Sequence, residues 1–289
     1  MIEIETDRCT QCGWCVDECP ARIIEAGPPG GAPPAMQAEL QDQCTLCGHC
    51  VAICPVGALS HHGLPAEGFE ERARAIAPDA MRDFLLLRRS TRSFREEGVP
   101  REIMERLIEA GTHAGTASNA QTEGFIIVGD RVLLAELEAL VLGIMWKKLR
   151  PLGNPVGRKL ARLRYGDAVV DRSMRYHERF REAQRKGHPG GLVLRNAPAL
   201  IAVHGERSNR SVQNNCAIAV RNMEMMAQSL DLGTCWAGFL LIAAGFSKKI
   251  ARRLGLSDDR NVYSAIMVGY PRHRYARTVP RKEREVRWL

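Results

Sequence analysis

Apolar residues recur along this chain with helical and strand-like periods, and the switches between the two mark out its elements. Pro78 suits a first helical turn and Asp79 the positive end of a helix, so a helix is expected from Pro78 through residues 81–89 (MRDFLLLRR). Pro100 opens a second, with Ile103, Leu107, Ala110 and Ala114 on its apolar face. Residues 131–149 (RVLLAELEALVLGIMWKKL) form a third helix. A long helix from about Ser211 to Leu232 places Cys216, Val220, Met223, Ala227 and Leu230 at helical spacing, and Gly233 ends it. Its methionines read as core packing. Ser247 caps a short helix that ends at Gly255. Strands are expected at residues 124–130 (GFIIVGD), 199–205 (ALIAVHG) and 261–271 (NVYSAIMVGYP). Helices and strands alternate without a regular strand–helix–strand repeat, which predicts an α+β fold with a mixed sheet flanked by helices.

The N-terminal segment breaks this pattern with cysteine. Eight of the ten cysteines fall within residues 9–54, and Cys216 and Cys235 stand alone. The first ten residues have neither a basic leader nor an apolar run, so no secretory signal is expected and a cytoplasmic location is the default. Disulfides are disfavoured in that compartment, so the cysteines point to a metal or cluster. Residues 9–20 read CTQCGWCVDECP and residues 44–55 read CTLCGHCVAICP, an internal repeat with a period of 35 residues. Each run is C-x2-C-x2-C-x3-C-P. Three thiolates on a tight loop each reach a different iron of a cubane, and in the two-cluster pattern the fourth cysteine serves the other cluster. One [4Fe–4S] cluster is therefore expected on Cys9, Cys12, Cys15 and Cys54, and the other on Cys44, Cys47, Cys50 and Cys19. A zinc module is the alternative, although zinc sites usually show paired C-x2-C units with a longer gap. Pro20 and Pro55 close the runs, and residues 27–34 (GPPGGAPP) form a flexible loop between them. The segment resembles bacterial two-cluster ferredoxins. His49 reads as a solvent-side residue or a donor near a sulfide, and His61 and His62 as solvated residues of a linker over 61–77.

Composition bounds the rest. With 45% hydrophobic and 26% charged residues in 289, the chain is ordinary globular material with room for one large and one small domain. No stretch is long and apolar enough for a membrane helix, so no membrane insertion is expected. The net charge of +8 is uneven: residues 1–60 carry net −6 and residues 143–192 net +9. An acidic head on a basic body argues against one uniform nucleic-acid surface. The basic residues are not interleaved with aromatics, and no helix-turn-helix or zinc-finger pattern is present, so no nucleic-acid partner is expected. The basic segment 143–192 has three readings: solvated helices packed on the body, a lid favouring an anionic substrate, or a docking face for an acidic protein donor. Trp146, Leu149, Leu160, Leu163 and Phe180 are expected to supply its apolar contacts.

Residues 88–94 (RRSTRSF) hold three arginines and three serine or threonine hydroxyls within six positions. Guanidinium forks with hydroxyls suit a phosphate, and a solvated basic helix end is the alternative. Arg88 and Arg92 share a face if the helix continues. Taken in chain order with residues 115–121 (GTASNAQ), 196–203 (NAPALIAV), 216–239 (CAIAVRNMEMMAQSLDLGTCWAGF) and 262–272 (VYSAIMVGYPR), this motif resembles the FMN-dependent nitroreductase family from about Met81 onward. With the cysteine-rich head, the whole chain resembles ferredoxin-fused nitroreductases: residues 1–60 a two-cluster domain, 78–289 an FMN-binding domain with a lid-like insertion over 143–192.

The resemblance implies that Arg88, Arg89 and Ser90 hold the FMN phosphate and ribityl chain, and that Arg92 lies near the pyrimidine side of the ring. It implies that Asn119 and Gln121 reach the flavin from the other subunit of a homodimer. Ala237 and Gly238, after Trp236, match the loop near flavin N5, and Arg281, with Lys282, matches a basic tail closing on the phosphate. Where the family loop often continues with Pro-Trp, this chain reads Gln121, Thr122, Glu123, Gly124. The implied activity is an oxidoreductase carrying electrons from two [4Fe–4S] clusters through FMN to a small-molecule acceptor such as a nitroaromatic or quinone. No catalytic side chain is assigned, because the cofactor does the chemistry, and Cys216 and Cys235 read as inert packing. No NAD(P)-binding glycine fingerprint stands out, which favours a reduced ferredoxin over NAD(P)H as donor. The alternatives are a redox sensor or electron-transfer adaptor without turnover, or a related flavin reductase acting on halogenated compounds or activated C=C bonds.

Overall fold

A computed structural model describes residues 2–71, 75–187 and 191–289 of the chain. Residues 72–74 of the expected linker and 188–190 of the basic segment lie outside the described residues. The chain divides into two compact units: Met1–Ile76 with Thr116–Ala120, and Ala77–Gly115 with Gln121–Leu289.

The small unit is a doubled motif. Strands β1 (Ile2–Ile4), β2 (Ile24–Glu25), β3 (Ala35–Met36) and β4 (Leu59–His61) alternate with short helices α1 (Trp14–Asp17), after the first cysteine loop, and α2 (His49–Ala52), after the second. β1 pairs antiparallel with β4, and β2 with β3. The sequence repeat is visible in the backbone. Gln11 and Leu46, 35 residues apart, both adopt left-handed φ, 54° and 53°, and so do Gly13 and Gly48, at 79° and 72°. The glycines turn each loop into its helix without a Cβ penalty. The core is small: Cys15, Ile23, Ile24 and Leu59 are buried, with Cys19, Cys44, Cys50 and Cys54 packed against them.

Two sequence expectations change here. The 27–34 loop is tethered by Gln11, whose Nε2 donates to Gly31 O at 2.6 Å and whose Oε1 accepts from Gly30 N at 3.2 Å. His61 is a buried strand residue opposite Ile2, only 6% exposed, and not a solvated linker residue.

In the large unit, helices α3 (Pro78–Leu87), α4 (Arg101–Thr112), α5 (Arg131–Leu149), α6 (Pro155–Tyr165), α7 (Asp167–Arg185), α8 (Val212–Ser229), α9 (Gly238–Phe246) and α10 (Lys249–Arg253) accompany strands β5 (Gly124–Val128), β6 (Ala199–Glu206), β7 (Gly233–Trp236) and β8 (Arg260–Gly269). The sheet order is β5-β6-β8-β7, every neighbouring pair antiparallel. A parallel bridge between Ser90 and Thr234 gives the sheet its mixed character. Successive residues of a strand point to opposite faces, and both faces are covered. β6 sends Leu200 and Ala202 into a core shared with α5, α7 and α9, and Ala199, Ile201 and Val203 into one shared with α4 and α8. This explains the unbroken apolar run at residues 199–203.

α5 spans the residues its pattern predicts, capped by Asp130 accepting from Leu133 N at 2.7 Å. α4 buries Met104, Leu107 and Gly111, so its apolar face is rotated from the expected Ile103–Ala114 stripe. Gly111 lies against Met223 of α8, where a Cβ would meet its Cε at 2.3 Å. α8 ends at Ser229, and Asp231 takes the left-handed turn at φ 60°. Gly233 already belongs to β7, where a Cβ would meet Thr91 Oγ1 at 2.3 Å. α7 packs through Val170, His177, Phe180 and Ala183, whereas α6 buries nothing and leaves Leu160 and Leu163 62% and 78% exposed. Those two leucines therefore do not supply the expected packing.

Candidate functional site

In the small unit the two cysteine runs interleave. One hollow is lined by Cys9, Cys12 and Cys15 of the first run and by Cys54 of the second, with Trp14 and Pro34 beside them. Cys47, Cys44 and Cys19 lie close enough to Cys50 that their charges oppose its ionisation. The Cys50 thiol is pushed up to about 11, by burial first and by those neighbours after it. Cys15 is raised for the same reasons, burial first, then Cys12 and Cys9. Cys9, Cys12, Cys15 and Cys54 thus share one hollow, and Cys19, Cys44 and Cys47 lie near Cys50. Bound iron inverts this balance, because coordination deprotonates a thiol outright. Among the described residues no three His, Cys, Asp or Glu side chains meet around a single ion. A cubane asks for something else, four thiolates each directed at a different iron, and the donor set fits it.

Three further groups touch these loops. Ala58 N donates to Cys54 Sγ at 3.2 Å. His61 Nε2 lies 3.6 Å from Cys44 Sγ, while its Nδ1 accepts from Gly63 N at 3.0 Å. Burial lowers the His61 pKa, favouring neutral imidazole. Asn119, in the left-handed turn of the 115–121 motif, donates from Nδ2 to Thr45 O at 3.0 Å and Leu46 O at 3.1 Å, inside the second cysteine run. Gln121 also has positive φ, 45°.

In the large unit, residues 88–95 run extended beside the ends of β7 and β8. Thr91 N donates to Thr234 O, Arg95 N to Tyr270 O, and Arg272 N to Ser93 O. This edge pairing ends α3 at Leu87, with Arg88 extended at φ −60° and ψ 126°. Arg88 and Arg92 therefore do not share a helical face. A cavity of about 280 Å3 opens there, with Arg88, Arg89, Arg274, Thr91, Thr234 and Glu224 in its wall. Glu224 is 5% exposed, lies 3.5 Å from Arg88 Nη1 and accepts from Thr234 Oγ1 at 3.4 Å. Arg89 donates through Nη1 to Leu86 O and Arg88 O, and its Nε is buried without a hydrogen-bond partner. An orphaned buried guanidinium N–H in a wall bearing two further arginines fits a phosphate.

A second hollow, about 250 Å3, shares Thr91, His273, Arg274 and Tyr275 with the first and adds Arg92 and Ser93. The buried Cys235 thiol is raised, against the opposing pull of Arg92, then Arg195, and of a hydrogen bond to Ser90. Ser90, Arg92, Arg195 and Cys235 thus cluster at one end of β7. Trp236 is exposed, Ala237 is buried and donates its N–H to Ala265 O, and Gly238 begins α9. Arg281 is exposed and lines neither hollow. Sequence reasoning missed Glu224, Thr234, His273 and Arg274. The run RHR directly after the last strand was the available signal for the last two. Cys216 is buried and pushed up to about 12 by burial, consistent with packing.

The surface carrying the basic segment is separate. Arg158, Lys159 and Arg162 of α6 surround an open hollow of about 540 Å3.

Residues 85–270 match the nitroreductase family, and residues 8–59 match the 4Fe-4S dicluster domain. A protein of Methanothermobacter thermautotrophicus, provisionally named an NADH dehydrogenase/NAD(P)H nitroreductase, is 21% identical over 188 residues, 64% of this chain and 73% of that protein. A nitroreductase crystal structure with bound FMN from Desulfitobacterium hafniense superposes with a TM-score of 0.54 at 19% identity, over 73% of this chain and all of that one. Iodotyrosine deiodinase bound to FMN and 3-iodo-L-tyrosine superposes at 0.50 with 18% identity, over 72% of this chain and 98% of that one. No helix among the described residues is long and apolar enough to cross a membrane.

Proposed function

The chain belongs to the nitroreductase family with an N-terminal 4Fe-4S domain and is an FMN-dependent oxidoreductase, and from that premise we propose that it carries electrons from two [4Fe–4S] clusters to an organic acceptor by way of FMN. Bound flavin supplies the exchange between one-electron carriers and two-electron chemistry. The observation carrying the proposal is the pairing of two donor sets in one polypeptide. Cys9, Cys12, Cys15 and Cys54 face one hollow in the small unit, and Arg88, Arg89 and Arg274 face another in the large unit.

In this reading the chain's own groups divide the work. Arg89 offers its unpartnered Nε–H to the phosphate. Glu224 holds Arg88 in place. Ser90 serves the ribityl chain, and Arg92 places a cation where a reduced, anionic ring gains from it. Trp236, Ala237 and Gly238 form the wall beside the ring. Asn119, Gln121 and the tail around Arg281 complete the site in a homodimer, a reading supported by the exposed Leu85, Leu86 and Leu87 on α3. The basic hollow on α6, apart from the arginine-lined cavities, supports steering of an anionic acceptor or docking of an acidic protein donor. The donor is a reduced ferredoxin or NAD(P)H, in the cytoplasm.

An anaerobic titration of the purified protein, followed by visible absorption, tests this. With dithionite, broad cluster absorption and flavin bands are expected to bleach together, and the same titration with NAD(P)H distinguishes the donors. Cys12→Ser is expected to impair cluster-to-flavin transfer while FMN stays bound. Flavin bands in a protein that carries zinc and no cluster absorption overturn the proposal.

A further inference from the structure

The two halves of the cysteine repeat are not chemically equivalent. In the register that aligns Cys9 with Cys44 and Cys19 with Cys54, His61 falls opposite Ala26. The second half thus carries a polar ring where the first carries a methyl group. That ring is buried in β4, 6% exposed, and is held from both sides. Gly63 N–H donates to Nδ1 at 3.0 Å, so Nδ1 must present its lone pair and the ring proton lies on Nε2. Nε2 is 3.6 Å from Cys44 Sγ, a hydrogen-bond distance for sulfur. The backbone thereby fixes a single N–H donor on a single cysteine. Gly63 leaves room for this arrangement, since a Cβ there would press on the His61 ring at 3.2 Å.

We propose that His61 is a tuning residue: its Nε2–H donates to Cys44 Sγ and raises the reduction potential of the cluster on Cys19, Cys44, Cys47 and Cys50. The inference rests on the two-cluster reading above. Reduction adds negative charge to the cluster and its thiolates. A donor fixed on one sulfur stabilises the reduced form more than the oxidised form, and hydrogen bonds to cluster sulfurs set potentials in this way. Ala26 offers no side-chain donor at the corresponding place in the first half, so His61 makes two repeat-related clusters inequivalent. The cluster of the second loop becomes the better resting place for an electron.

The test is a potentiometric titration of the anaerobic, FMN-loaded protein followed by electron paramagnetic resonance, with iron and sulfide measured on each sample. His61→Leu is expected to shift one cluster's midpoint downward and leave the other in place, at full iron content. His61→Gln, which keeps a donor, is expected to shift it less. Unchanged midpoints in His61→Leu at full iron content overturn the tuning role. Wild-type protein lacking the iron and sulfide of two clusters overturns the reading beneath it, and the two failures are separable by analysis of the untreated sample. Should His61→Leu lose iron, unmodified protein labelled with 15N-histidine decides. Pulsed resonance of the reduced clusters is expected to show a histidine nitrogen coupled to one of them, and absence of that coupling rejects the hydrogen bond.

Discussion

The Arg88 guanidinium lies 3.5 Å from the carboxylate of Glu224, a residue 136 positions away that is 5% exposed. Arg221 approaches the same carboxylate at 3.6 Å, and Thr234 donates to it at 3.4 Å. Glu224 is thus the buried counter-charge of the proposed phosphate site. Removing one partner of such a pair leaves a charge uncompensated. Because Arg88 keeps some contact with water, Glu224→Ala is expected to cost about 2 kcal/mol rather than the full buried-pair penalty. Urea unfolding of the FMN-free protein measures that loss. FMN affinity should fall with it, and Glu224→Gln should recover part of both.

Arg89 carries a different expectation. Its buried Nε has no partner in the protein alone, so its removal should cost binding more than folding. A charge-assisted hydrogen bond is worth about 1.5–3 kcal/mol. Arg89→Ala is therefore expected to raise the FMN dissociation constant about tenfold to a hundredfold. Quenching of FMN fluorescence by the FMN-free protein reads this out, and cluster absorption should be unchanged.

Gly233 and Thr91 are expected to behave as a pair. A Cβ at 233 would meet Thr91 Oγ1 at 2.3 Å and Thr91 Cβ at 2.7 Å. Gly233→Ala should push residues 88–91 away from β7, lowering stability by about 1–3 kcal/mol and weakening FMN binding. Adding Thr91→Ala should recover only part of the loss, because the Cβ clash remains. Full additivity in the double-variant cycle would show that the two residues do not couple.

The pH dependence of stability has a definite sign at Cys216. Burial raises its folded pKa from the ordinary 9.0 to about 12. Below pH 9 both folded and unfolded chains keep the proton. As pH rises from about 9 to about 12 the unfolded chain releases it first, so stability falls through that window, by at most about 1.4 kcal/mol per pH unit. Cys216→Ala should flatten this fall relative to the parent protein. The same burial predicts that iodoacetamide leaves Cys216 unmodified at pH 8 while the protein is folded.

The cysteine repeat, the helices at 131–149 and 212–229, and the apolar strands were legible in the chain because their signals are local. Ligand spacing, helical periodicity and runs of β-branched residues depend on neighbours within a few turns. The RRSTRSF motif was legible as residue types but not as geometry. A helix continuing through Arg92 was the local preference, and only pairing with Thr234 and Tyr270 drew the segment out straight. The phosphate-site wall likewise joins residues 88–91, 224–234 and 271–275, which nothing but long-range strand pairing and helix packing brings together. His61 read as polar and solvated from its flanking sequence, yet antiparallel pairing with Ile2 buries it against Cys44. The chain alone therefore determined which chemistries are present. Tertiary structure decided which groups meet, because the free energy of burial and strand pairing is paid between residues distant in sequence and overrides the weaker preferences of each segment.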